Sequence, residues 1–130
     1  MQKAVLWIFG LITLGFGVWS LLQPAAVAAA VQIGLPTPAS TTEFRAFYGG
    51  LEIGVALFWI IATRREALIP GALLSMFLVW AGVAVTRGAG MLIDGSESPV
   101  MWFAFGLECV AAIAAWLAMQ KSSDTADSTE

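Results

Sequence analysis

The chain has 130 residues, of which 59% are hydrophobic and 12% charged, and its mean hydropathy is +0.85. This length suffices for one domain, and the composition lies far outside that of a soluble globular protein. A formal net charge of −3 leaves no basic face for a nucleic acid, and the lack of histidine excludes a bis-His haem, a zinc site and a His-based catalytic triad. No cofactor is therefore expected.

Long apolar runs predict an all-α fold, a transmembrane four-helix bundle that occupies residues 1–120. Taken in chain order, the predicted helices cover residues 4–22, 43–63, 67–92 and 99–119. The polar segment that follows, residues 121–130, cannot bury an apolar face. We therefore predict a disordered acidic tail on the cytoplasmic side.

The first predicted helix ends before Pro24 and has an alternative interpretation. Lys3, the apolar run and the small residues AAVAAA resemble the three parts of a secretory signal, cleaved within residues 1–30. The apolar run is longer than a usual signal core, and Pro24 interrupts the approach to the alanines. Retention of the first helix is the favoured interpretation.

The second predicted helix carries two local signals. Ser40 and Glu43 have the spacing of a capping box, in which each side chain satisfies a free backbone amide at the helix start. Gly49 and Gly50 lie one turn before Glu52, where they could loosen the helix locally. Further along the chain, the pair Asp94-Gly95 indicates the turn between the third and fourth helices.

The basic residues predict the orientation of the bundle. With four helices crossing in turn, those at the chain ends and in the link between the second and third helices fall on one side: Lys3, Arg64, Arg65 and Lys121. The long outer loop, residues 23–42, contains neither Lys nor Arg. Because basic residues favour the cytoplasmic side, we predict an N-in, C-in topology in the inner membrane of a bacterium.

Two glutamates lie near the middle of predicted membrane helices, Glu52 in the second and Glu108 in the fourth. An ionised side chain at the bilayer centre costs roughly 2.5–3.5 kcal/mol on insertion scales. Such a group persists where it is paired, protonated or in contact with water. The two acids therefore indicate where a site would lie.

Other polar residues share helix faces with these acids. Arg45, Tyr48 and Glu52 are spaced i, i+3, i+7, which predicts one common face of the second helix. Arg45 is expected near the outer surface, with Glu52 about 10 Å deeper. On the third helix, Arg87 and Asp94 have the same i, i+7 spacing.

The helix order brings these faces together. Glu52 and Glu108 have similar predicted depths, and the third helix neighbours both the second and the fourth in an antiparallel bundle. Arg87 is therefore predicted to contact at least one of the two carboxylates, since its planar guanidinium suits a carboxylate and keeps its charge. Tyr48 is placed to donate a hydrogen bond to either acid.

Two interpretations of this cluster remain open. In the first, the acids and arginines neutralise one another and fix the helix register. In the second, they line a polar cavity that opens outward and takes a small polar or cationic ligand or exchanges a proton. The expected partners are the lipid bilayer, such a ligand, and a second copy of the chain or a larger membrane complex.

The segment FRAFYGGLEIGVALFWI resembles the domain-of-unknown-function 4345 family of small bacterial membrane proteins. The shared pattern R-x-x-Y-G-G-L is matched by residues 45–51, and Arg87, Asp94-Gly95 and Glu108 match further positions. The resemblance covers the chain to about residue 119. It implies a compact four-helix bundle and no known activity.

Three function classes follow from these observations. The leading interpretation is a non-enzymatic accessory or binding subunit of the membrane. The alternative is a small proton- or cation-coupled transporter that acts as an oligomer. The first helix of this chain, however, lacks the embedded glutamate that small multidrug transporters carry there. A quinone-linked oxidoreductase subunit resembling DoxX-type proteins has the least support, because no nucleophile-base pair is present.

Overall fold

The computed structural model describes residues 1–96 and 98–127, with side chains as far as residue 120. Its elements are six α-helices and two shorter helical segments. The α-helices are α1 (Gln2–Leu22), α2 (Pro24–Ala30), α3 (Pro38–Phe44), α4 (Glu52–Ala62), α5 (Ile69–Asp94) and α6 (Pro99–Asp127). A π-helical segment, Arg45–Leu51, joins α3 to α4, and a 3-10 turn, Glu66–Leu68, precedes α5.

The predicted all-α class is confirmed, with four helices that are long and apolar enough to cross a membrane. These spans are Gln2–Leu22, Pro38–Ala62, Glu66–Asp94 and Pro99–Gln120. The second span comprises α3, the π segment and α4. The short helix α2 lies in the long connection between the first two spans. Its Pro24 stands at the first helical position, where no amide hydrogen is needed.

Two predicted boundaries differ from the structure. The second span starts at Pro38, because the capping box is formed by Thr37 and Ser40 and not by Ser40 and Glu43. Ser40 N–H donates to Thr37 Oγ1 at 3.1 Å, and Thr37 N–H donates to Ser40 Oγ at 3.1 Å. At the other end of the chain, α6 is helical to Asp127, since the segment KSSDTAD has no Gly or Pro to end it. Residues 128–130 of the predicted disordered tail lie outside the described residues.

The ends of the bundle are set by contacts between distant parts of the chain. Gln2 Nε2 donates to the Ala118 carbonyl at 3.2 Å, and Lys3 Nζ lies 3.2 Å from Glu66 Oε1. We call the end of the bundle that holds these two contacts the terminal end. The opposite end, called the loop end, holds α2 and the turn at Gly95, whose φ of 67° is a left-handed conformation that glycine adopts without steric cost.

The spans pack as two close pairs. In one pair, α1 lies against the second span so closely that a Cβ on Gly17 would come within 3.1 Å of Gly49 O and of Glu52 Cβ. Small residues permit this approach of two backbones. In the other pair, α5 packs along α6, and a Cβ on Gly88 would lie 3.1 Å from the Phe105 ring.

The two pairs are joined by an apolar core toward the terminal end. Its buried residues come from all four spans: Leu6, Phe9, Trp59, Ala62, Ile69, Ala72, Leu73, Met76, Ala111, Ala115 and Ala118. Within this core Trp59 Nε1 donates to Ser75 Oγ at 3.0 Å. At the loop end a smaller buried cluster, Val27, Ala28 and Phe44, draws only on the first half of the chain.

Candidate functional site

An ion pair between α5 and α6 forms the best-defined polar contact of the spans. Arg87 Nε donates to both Glu108 oxygens, at 2.8 and 2.9 Å, and Arg87 Nη2 lies 2.6 Å from Glu108 Oε1. The remaining nitrogen, Nη1, lies 3.2 Å from the sulfur of Met101. The Glu108 side chain is 5% exposed and that of Arg87 27% exposed. The predicted contact of Arg87 with an embedded carboxylate is therefore present, and its partner is Glu108.

Local packing explains why these two side chains meet. Gly88 lets α6 approach α5 closely at Phe105, and Glu108 lies one turn further along α6. Helical side chains lean toward the N-terminus of their own helix, which directs Glu108 toward the loop end, where Arg87 lies. The planar guanidinium then satisfies both oxygens of a carboxylate that is almost fully removed from solvent.

Glu52 has no such partner. It lies at the start of α4, is half-buried, and sits within electrostatic range of Glu108. Among the described side chains, the ion pairs formed are those of Lys3 with Glu66 and of Arg87 with Glu108, and no hydrogen bond reaches the Glu52 carboxylate. Arg87 therefore neutralises Glu108 alone, and Glu52 has no counter-charge among the described residues.

The face of α1 that packs against the second span carries two hydroxyl groups. Thr13 and Ser20 flank Gly17 at helical spacing and are buried, with exposures of 2% and 0%. Both hydroxyl oxygens lack a hydrogen-bond partner among the described residues. Buried polar atoms are nearly always satisfied, so two unsatisfied hydroxyls on one helix face are unusual.

The π segment separates Arg45 from the acids. A π-helix has a wider turn than an α-helix, so the i, i+7 spacing does not place Arg45 and Glu52 on one face. Arg45 is exposed, and its Nε donates to the carbonyl of Leu21, at the end of α1, at 3.1 Å. Because α1 ends at Leu22, no amide within the helix donates to this carbonyl, and it needs a hydrogen-bond donor from outside. The Gly49-Gly50 pair, identified from the sequence as a place where the helix could loosen, lies within the π segment.

Tyr48 and Asp94 complete the residues selected from the sequence. Tyr48 stacks on Phe44, with ring centroids 4.3 Å apart, and lies within electrostatic range of Arg87. Asp94 is exposed in the last turn of α5, close to Gly90, and does not join the other acids. The structure therefore groups Tyr48, Glu52, Arg87 and Glu108 at similar depth, and it leaves Arg45 and Asp94 nearer the loop end.

The comparison with known proteins decides the family. A family model described as a domain of unknown function, DUF4345, matches residues 1–119. The chain belongs to the DUF4345 family. No curated protein and no solved structure matches it. The resemblance inferred from R-x-x-Y-G-G-L is thus confirmed, and the DUF4345 description assigns no activity.

Some features of this DUF4345 protein were missed by sequence reasoning. Met101 contacts Arg87, and a Cβ on Gly17 would lie 3.1 Å from Glu52 Cβ; the sequence assigned neither residue to the site. The signal available was the spacing of small residues Gly10, Thr13, Gly17 and Ser20 along one face of α1, which predicts close packing. That spacing does not reveal which polar atom of the neighbouring helix lies opposite.

A surface groove of this DUF4345 protein lies away from the acids. It has a volume of about 320 Å³ and is lined by Phe77, Ala112, Ile113 and Trp116 on α5 and α6. Its walls are apolar, and in a bilayer a groove of this kind is filled by acyl chains. It supplies no polar group to the site around Glu52.

Proposed function

We propose that this DUF4345 protein is a non-enzymatic accessory or binding subunit of the bacterial inner membrane, in which Glu52 takes a small polar or cationic ligand. The single observation that carries this proposal is the unequal pairing of the two embedded acids. Arg87 neutralises Glu108, whereas Glu52 has no counter-charge among the described residues. A cluster that served only to fix the helices would neutralise both acids, because an unpaired charge is costly in lipid.

The distribution of buried residues supports access from the loop end. The core that joins both helix pairs lies toward the terminal end, where Leu6, Trp59 and Leu73 are fully buried. Toward the loop end, Tyr48 and Arg87 keep part of their surface exposed. A ligand that reaches Glu52 from this side meets polar side chains along its way.

The distribution of basic residues supports an N-in, C-in orientation. The terminal end carries Lys3, Arg64 and Arg65, all exposed. Because basic residues favour the cytoplasmic side, this end faces the cytoplasm and the loop end faces the periplasm. The transporter alternative would require access to Glu52 from the terminal end as well, and the apolar core occupies that route.

Complementation with matched glutamate variants tests the proposal. A deletion strain is grown across a range of pH, salt and cationic antimicrobial concentrations to find a condition in which the gene is needed. It then receives the wild-type gene, Glu52→Gln or Glu66→Gln. Glu66 is the control because it is an exposed glutamate in the same chain. Glutamine keeps the shape of the side chain and removes its charge.

We expect Glu66→Gln to complement and Glu52→Gln to fail, although both proteins reach the membrane with the same melting temperature in detergent. If Glu52→Gln complements as well as the wild type in every condition where the gene is needed, the proposed site is wrong. A Glu52→Gln protein that complements poorly because it is less stable also contradicts the proposal, since it makes Glu52 a structural residue.

A further inference from the structure

Ser20 and Glu52 lie on the surfaces with which α1 and the second span pack against each other. A Cβ on Gly17 would lie 3.1 Å from Glu52 Cβ, so Glu52 is opposite Gly17, and Ser20 is one turn further toward the loop end. The two helices run antiparallel, and each side chain leans toward its own N-terminus. Ser20 therefore leans toward the terminal end and Glu52 toward the loop end, which directs the two groups at each other.

The charged groups near Glu52 cannot neutralise it. Helix α1 carries no charged residue beyond Lys3, at the terminal end of the bundle. From α6 comes Glu108, a like charge, and from α5 comes Arg87, which is occupied by Glu108. On the second span itself, Tyr48 stacks on Phe44 and Arg45 donates to Leu21. Glu43, also on the second span, is exposed and has the same charge as Glu52. Among the described residues, none of these groups forms an ion pair with Glu52.

We propose that Glu52 is the proton-binding group of this protein, and that it holds its proton through a hydrogen bond to Ser20 Oγ. A carboxyl group in a poorly solvated place is neutralised by a proton when no counter-ion is available. The Ser20 hydroxyl has no hydrogen-bond partner in the structure. The proposed bond forms when the two side chains rotate so that the carboxyl O–H donates to the Ser20 oxygen. One proton thus satisfies the unpaired carboxyl and the unpartnered buried hydroxyl together.

This inference rests on the proposed function, because it names the proton as the ligand that Glu52 holds before a cation replaces it. When a monovalent cation binds the carboxylate, the proton leaves Glu52 for the solvent at the loop end, and the charge of the site is unchanged. Glu108 is excluded from this role, since its two oxygens already accept from Arg87 Nε at 2.8 and 2.9 Å.

The proton is detected by carbodiimide labelling of the full-length protein in lipid nanodiscs. A hydrophobic carbodiimide such as dicyclohexylcarbodiimide adds to a protonated carboxyl group and forms a stable acylurea, which mass spectrometry locates in the sequence. We expect label on Glu52 and none on Glu108 or Glu66. Raising the pH should abolish the label, because only the protonated carboxyl reacts.

Ser20→Ala is compared with Thr13→Ala, which removes the other buried hydroxyl of the same helix face. Thr13 leans away from Glu52, toward the terminal end. Loss of the Ser20 hydrogen bond should favour the ionised carboxylate, so the pH at which half the label is lost should fall in Ser20→Ala and stay unchanged in Thr13→Ala. Equal behaviour of the two variants would overturn the role of Ser20.

Infrared difference spectroscopy gives a result that does not depend on reagent access. The spectrum of the wild type minus that of Glu52→Gln should contain the carbonyl stretch of a protonated carboxylic acid, which shifts in deuterium oxide. A carboxylate band in its place at every pH tested would overturn the inference. If only the carboxylate band is seen and Glu52→Gln still fails to complement, the proposed function stands and the proton inference is wrong. If Glu52→Gln complements, the proposed function is wrong whatever the spectrum shows.

Discussion

Replacing Arg87 by leucine should be the most destabilising change of any charged residue in the described spans. The substitution removes two hydrogen bonds from Nε and the 2.6 Å contact from Nη2, and it leaves Glu108 buried with no counter-charge. Removing one partner of a buried ion pair typically costs about 3–5 kcal/mol. The converse change, Glu108→Leu, should cost less, because the long Arg87 side chain is 27% exposed and can move its charge toward water.

The double variant Arg87→Leu/Glu108→Leu should recover most of this loss, since packed apolar groups of similar volume often replace a buried ion pair at little cost. The free energy of unfolding is measured by sodium dodecyl sulfate titration in mixed micelles, with helicity as the signal. Glu66→Gln serves as the control: its pair with Lys3 has side-chain exposures of 86% and 52% and should contribute less than about 1 kcal/mol.

The reasoning would be refuted if Arg87→Leu unfolded at the same detergent fraction as Glu66→Gln. It would also be refuted if the effects of Arg87→Leu and Glu108→Leu added up in the double variant, because residues in direct contact should show a coupling energy. An additive result would mean that the ion pair does not form in the membrane.

The remaining predictions concern topology and helix packing. Reporter fusions after Arg65 and after Gln120 should both report a cytoplasmic location, and a periplasmic signal from either would reverse the proposed orientation. Gly17→Val should destabilise the bundle by about 1–3 kcal/mol, because its side chain would meet Ile53 and the Gly49 carbonyl. Gly15→Val, on the open face of α1, should leave the detergent midpoint unchanged; equal midpoints for the two variants would show that α1 does not pack as described.

Composition and hydrophobic pattern predicted the spans because a membrane helix must be long, apolar and internally hydrogen-bonded. The boundaries were harder to predict. Ser40-Glu43 and Thr37-Ser40 both have the spacing of a cap, and only the backbone entering at Pro38 selects the second. The helix α2 has no charge or amphipathic pattern that would separate it from a loop rich in Ala and Pro.

The sequence identified four residues that the structure brings near one another, Tyr48, Glu52, Arg87 and Glu108, but not how they pair. Charge and depth alone brought Arg87 near both Glu52 and Glu108. The choice of Glu108 depends on the close packing of α5 along α6, which follows from interhelical distances that a single sequence does not contain. The displacement of Arg45 has a different cause, since periodicity assumes a regular helix and the π segment breaks that assumption between Arg45 and Leu51.

The π segment also divides the second span into two parts whose side chains follow different helical phases. Each turn of a π-helix takes up roughly one residue more than a turn of α-helix, so the side chains before it are out of phase with those after it. Residues on its loop-end side, such as Phe44, pack with α2, and residues beyond it, such as Trp59, pack in the core of all four spans. The two parts of the span therefore pack against different partners, and the helical periodicity of the outer part does not continue into the part that carries Glu52.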